Sequence, residues 1–250
     1  MTNVIQYLLK STSQGKSFLF ESVAMARKRR SSRLCYLCGK AGADSRDHVP
    51  PRGIFPKLPR GNLITVPAHK ACNEAFSEDD EALRNVIIAA SSRSEAGRQA
   101  WDEEVLPSFA KNPRARQFLL DRLVPVWVKD PQTGAFVRMT GIAVETSLYK
   151  RQMTRITRGL FYNRFRMPLP QDWPIKFHKM PPPEQSMRDL EALLARHGLK
   201  LRWQHVEPGI FSYYYGVVDE DNRIGIAVMV FFDTEVFWTK PGSGRGRHSN

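Results

Sequence analysis

The run "LCYLCGKAGADSRDHVPPRGIFPKLPRGNLITVPAHKACNEAFS", Leu34 to Ser77, decides how this chain is read. It holds all three cysteines of the 250 residues and two of the six histidines. Cys35-x2-Cys38 and His69-x2-Cys72 are two knuckles separated by thirty residues. Each knuckle can set two soft or borderline donors on one tight turn, and two such turns complete a tetrahedral Zn²⁺ site. The bland alternative is three unrelated buried thiols and a surface histidine. Against it, cysteine occurs nowhere else in the chain, and every one stands at ligand spacing. Four protein ligands leave no open coordination position, so the expected zinc is structural. Three cysteines cannot close a disulfide framework.

The residues between the knuckles carry the chemistry. "RDHVPPR" places adjacent Asp47 and His48 on a short extended segment stiffened by Pro50 and Pro51. "GNLITVPAH" reads as a second strand beginning at Asn62, and "CNEAF" opens a helix with Asn73 directly after the last zinc ligand. A neutral imidazole at His48 can take a proton near pH 7. The Asp47 carboxylate and the Asn73 carboxamide oxygen are hard donors suited to Mg²⁺ or Mn²⁺.

This order of strand, loop, strand and helix, with D-H, then N, then H-x-x-C-N, resembles the HNH endonuclease family. The nuclease core of that family is a ββα-metal fold, stapled by zinc in many members, and the likeness runs from about Cys35 to Arg84. The resemblance implies a metal-dependent endonuclease that hydrolyses phosphodiester bonds in nucleic acid, with DNA as the expected substrate. It makes His48 the base, Asp47 and Asn73 the ligands of a catalytic Mg²⁺ or Mn²⁺, and Asn62 the organiser of the loop that orients His48. The family's final letter is often His, and Asn73 stands there instead. One amide and one carboxylate form a weaker metal site than one containing imidazole. The competing reading, from another class, is a zinc-stabilised nucleic-acid-binding protein with no turnover.

Composition agrees with either. Lys and Arg outnumber Asp and Glu by 38 to 25, a net charge of +13 that favours a polyanionic partner. Hydrophobic residues at 42% and charged residues at 25% are those of an ordinary globular chain. No apolar run approaches the roughly 20 residues that span a bilayer. The longest candidate, "IGIAVMVFF", reads as a buried strand, so the expected partner is not a membrane and the expected location is cytoplasmic.

The fold class expected is α+β: a small zinc-stabilised ββα-metal module, then helices, then an α+β domain with an antiparallel sheet. Residues 1–33 read as an extension and a basic arm, "RKRRSSR", and translation could equally start at Met25. The zinc module covers 34–92. Ser77 is expected to cap a helix whose apolar face is Leu83, Val86, Ile87 and Ala90. Residues 93–123 read as a connector with helices near 96–109 and 114–123. The α+β domain covers 124–240: a hairpin from Val124, a helix at 147–165, a strand "IKFHKM", a helix at 184–197 and three closing strands. The tail, 241–250, is expected to lack order.

Two basic surfaces are expected to meet phosphate. Arg52, Lys57 and Arg60 lie in the presumed active loop. Thr146 to Gln171 carries six Lys/Arg and no acid. Wound as a helix, it sets Arg151, Arg155 and Arg158 on one face, opposite Tyr149, Met153, Ile156 and Leu160. A charge run on a helix is often only a solvated face; the missing acids tilt this one towards nucleic acid. The aromatic run Phe211, Tyr213, Tyr214 and Tyr215 is read as core or sheet surface rather than as base-stacking platform.

Overall fold

The computed structural model describes residues 33–56, 63–130, 132–180, 188, 192, 202–219 and 224–242. It is a mixed α+β chain with antiparallel sheets, the class expected. The basic arm before Arg33, Lys57, Arg60, Asn62, most of the expected 184–197 helix and the tail from 243 lie outside the described residues.

The zinc module opens with the strand pair β1 (Ser45–His48) and β2 (Thr65–Ala68), antiparallel with Asp47 opposite Val66 and His48 opposite Thr65. Helix α1 (Lys70–Glu74) follows at once and α2 (Ser77–Ala90) after a two-residue turn. Ser77 is the first residue of α2 rather than its cap; Phe76 takes the cap position with no side-chain bond. The burial of Leu83, Val86 and Ile87 follows the predicted apolar face.

The connector departs from two simple helices. Helix α3 (Glu95–Ala100), capped by the Ser94 hydroxyl, runs into a wide π turn at Trp101–Val105 and then α4 (Leu106–Lys111). Pro107 has no N–H to give the preceding turn, which fits a local change of helical pitch. Helix α5 (Pro113–Leu120) starts on Asn112, whose side chain accepts from the Ala115 N–H at 3.2 Å. Leu123 belongs to the next strand, so α5 is shorter than expected.

The hairpin is β3 (Leu123–Lys129) with β4 (Phe136–Ile142), a two-stranded sheet of its own. Helix α6 (Thr146–Phe165) comes next and stops where Arg166 turns left-handed at φ 58°. A five-stranded antiparallel sheet closes the chain in the order β5-β9-β8-β7-β6, from β5 (Ile175–Lys179), β6 (Gln204–Glu207), β7 (Phe211–Asp219), β8 (Ile224–Phe231) and β9 (Glu235–Pro241). The Tyr213, Tyr214 and Tyr215 side chains are all buried, as their core reading expected.

Helix α6 is the axis of the molecule. Its Tyr149 ring lies 5.2 Å from Phe237 and its Phe161 ring 6.4 Å from Tyr215, on the sheet side. Its other side touches β2 and α2 of the zinc module. Gly159 allows that second approach: a Cβ there would come 2.8 Å from Val49 Cγ1, just past His48. One buried cluster therefore runs from Cys35 to Phe237, joining the module and the sheet through α6. Among the described residues, no helix is long and apolar enough to cross a membrane.

Candidate functional site

The four predicted zinc ligands come together. The donor atoms of Cys35, Cys38, His69 and Cys72 all lie within 4.8 Å of one another, a spacing a tetrahedral ion can bridge. His69 turns Nδ1 towards this centre, 3.3 Å from Cys38 Sγ and 3.8 Å from Cys72 Sγ. Its other nitrogen, Nε2, sits 3.0 Å from the Ala41 carbonyl. A carbonyl only accepts, so the proton belongs on Nε2 and the Nδ1 lone pair is left for a metal. The His69 backbone N–H points at Cys35 Sγ (3.4 Å), which stabilises charge on that sulfur. Burial, then the neighbouring Cys35 and Cys38 sulfurs, push the Cys72 thiol up to about 11. Crowding of this kind is relieved by a dication among thiolates, so the donor set suits Zn²⁺.

The knuckles fix β1 and α1, and these two elements carry Asp47 and Asn73. Alternation along β1 buries Asp47 while leaving Arg46 exposed and His48 half-buried. Asp47 and Asn73 do converge, and what they converge on is a side chain from α6. The Arg155 Nη2 donates to Asp47 Oδ2 at 2.7 Å and to Asn73 Oδ1 at 2.8 Å. Its Nε donates to the same carboxylate oxygen at 3.1 Å and to the Tyr36 hydroxyl at 3.2 Å. Its Nη1 bonds Asp80 Oδ1, and Tyr36 donates to Asp47 Oδ2. The Phe76 ring faces the guanidinium carbon at 4.7 Å.

Electrostatics follow from this packing. Burial works against the Arg155 charge, but the Asp47 and Asp80 carboxylates beside it outweigh that and hold its pKa above the ordinary arginine value. Burial raises Asp80 above the usual carboxylate range, opposed in part by Arg155. Tyr36 is pushed well up, first by burial and then by Asp47, so it stays a neutral donor. Arg155 is 2% exposed and Asp47 4%, so each depends on the other for its charge.

The expected basic stripe on α6 is therefore corrected. Of Arg151, Arg155 and Arg158, only Arg151 faces solvent, where it grips Asp79 in a two-point ion pair at 2.7 and 2.8 Å. Arg155 is the buried centre just described. Arg158, 8% exposed, donates to the Leu169, Pro170 and Gln171 carbonyls and ties down the loop after α6. The reason is that α6 is covered on two sides, by the sheet and by the zinc module, whereas a single buried face was read from its period. Arg52 is exposed on the short turn Arg52–Ile54 after the Asp-His pair, as a phosphate contact would need to be.

Sequence reasoning missed Tyr36, Asp80 and the inward course of Arg155. Two signals pointed there: unmatched acids at Asp79 and Asp80 beside an α6 with cations and no acid, and a glycine in the middle of that helix. Asp47 and Asn73 are hard oxygen donors within reach of one point, which suits a divalent cation in chemistry, but that point is taken by the guanidinium. Comparison of the chain with family models, curated proteins and solved structures found no match.

Proposed function

We propose that this protein is a zinc-stapled, metal-dependent endonuclease of the HNH type, cutting phosphodiester bonds in nucleic acid, with DNA as the first substrate to test. The observation that carries the reading is the convergence of Asp47 and Asn73. One comes from β1 and the other from α1, and both oxygens reach a single cationic nitrogen within 2.8 Å. Two knuckles at Cys35/Cys38 and His69/Cys72 hold those elements in register and act as the structural zinc site. His48, adjacent to Asp47, is the base that takes the proton of the attacking water. Asp47 and Asn73 would hold Mg²⁺ or Mn²⁺, which when bound neutralises charge at the phosphate. Arg52 stands on the following turn as a backbone contact.

The test is plasmid nicking by zinc-loaded protein with Mg²⁺ or Mn²⁺, wild type against His48→Ala. Loss of cleavage in the variant is expected; equal cleavage by both would sink the role of His48.

A second reading rests on a specific observation, the burial of Arg155 between the two presumed metal ligands. If that guanidinium never leaves, the module is a zinc-stabilised nucleic-acid binder. Duplex binding that falls steeply with salt, with no cleavage under any metal, would favour it.

A further inference from the structure

Asp47 and Asn73 do not wait empty for a cation. Arg155 reaches them from a helix more than eighty residues downstream, and all three of its guanidinium nitrogens are engaged. A divalent ion bound to Asp47 Oδ2 and Asn73 Oδ1 would stand where Nη2 now stands. Two cations a few ångström apart, in a site where Arg155 and Asp47 are almost wholly covered, repel strongly. The site can hold one or the other.

Resting on the nuclease reading above, we propose that Arg155 is the resident counter-cation of the Asp47–Asn73 pair and competes with the catalytic metal for it. Arg155 is a positioning residue in this scheme. It keeps both oxygens facing one point and keeps the buried Asp47 charge compensated in the metal-free state. Metal enters only as the guanidinium swings out of the pair. The second partner, Asp80, makes this practicable. It holds Nη1 on the far side of the guanidinium, so the arginine retains a carboxylate when Asp47 is given up. The Phe76 ring adds a face that tolerates a cation. The consequence is a tax on metal affinity: the measured dissociation constant is the intrinsic one divided by the fraction of molecules with Arg155 withdrawn.

The experiment is Mn²⁺ binding to zinc-saturated full-length protein, followed by the electron paramagnetic resonance signal of free Mn²⁺. Wild type is compared with Arg155→Met, Arg155→Lys and Asp47→Ala, each checked for zinc content and cooperative melting. If the arginine is seated nine-tenths of the time or more, Arg155→Met binds Mn²⁺ at least about tenfold more tightly than wild type. Arg155→Lys, which keeps the charge but not the two-point fork, falls between them. Asp47→Ala loses the site.

Equal Mn²⁺ affinity in wild type and Arg155→Met would overturn the competition and leave the nuclease reading standing. No Mn²⁺ binding by any folded variant would overturn both. Because Arg155→Met removes a buried charge partner and can fail to fold, wild type supplies an independent measurement. The buried, hydrogen-bonded Arg155 guanidinium N–H, its signal assigned by loss in Arg155→Lys, should exchange slowly without Mg²⁺ and lose that protection as Mg²⁺ is titrated. A signal that stays protected while Mg²⁺ binds would refute the exchange.

Discussion

Gly159→Ala tests the contact that brings α6 against the Asp-His segment. The added Cβ would lie 2.8 Å from Val49 Cγ1, where ordinary contacts begin at 3.4 Å. Overpacking of a rigid junction costs about 1–3 kcal/mol, and this one sits at the upper end because the obstructing atoms are branched methyls close to the backbone. Replacing glycine inside a helix returns about 1 kcal/mol. The net expectation is a loss of about 2 kcal/mol. Val49→Ala alone removes two buried methyl groups and costs about 2 kcal/mol from lost burial and a small cavity. In the double variant the new methyl fills the space the old ones left, so the pair should cost about 1 kcal/mol, far less than the sum. Urea titration of the zinc-loaded proteins reads all three numbers. A Gly159→Ala protein as stable as wild type, or a double variant that shows the two costs added, would refute the close approach.

The ion pairs of α6 should separate by burial. Asp47→Ala takes from the buried guanidinium one of its two carboxylates, with Asp80 left to it, and is expected to cost about 3 kcal/mol in denaturant titration, the low end for a broken buried pair, whereas Arg151→Ala, at an exposed pair, should cost no more than about 1 kcal/mol. Asp80 sets a pH dependence. Its carboxyl is held above the ordinary range, so the folded protein keeps a proton the unfolded chain has already lost. Its contribution is present below the unfolded value near 4 and is lost as pH rises through the folded one. Stability measured upward from pH 4 should therefore show a fall that is absent in Asp80→Asn. Zinc removal should unfold the module: Cys72→Ala is expected to lose stoichiometric zinc by mass spectrometry and to melt without a sharp transition, and retention of a full equivalent of zinc would count against the four-ligand site.

Much of the fold was legible because its causes are local. A period of two announced β3 and β4, a continuous apolar run announced β8, and the 3.6-residue spacing of Tyr149, Met153, Ile156 and Leu160 announced α6 and its sheet-facing side. The turn at Trp101–Val105 was not legible, since a regular period through 96–109 hid the pitch change ahead of Pro107. Within the site, the zinc ligands could be read from spacing alone. Short knuckles confine two donors to one turn, and only the pairing of the two turns needed the fold.

Arg155 shows where that kind of reading ends. On the helix it belongs to a run of cations without acids, which from sequence alone reads as an outward stripe inclined towards nucleic acid. Its partners are Tyr36, Asp47, Asn73 and Asp80, and none of them lies within seventy residues of it in the chain. The sequence by itself determined the two Cys/His knuckles that could hold a metal, the mixed α+β class and the presence of an Asp-His pair between them, because residue type and short-range spacing dictate those. Only the tertiary structure decided that α6 would be covered from two sides. Once it is, a guanidinium on its second face must find carboxylates, since a buried charge is tolerated only when it is paired.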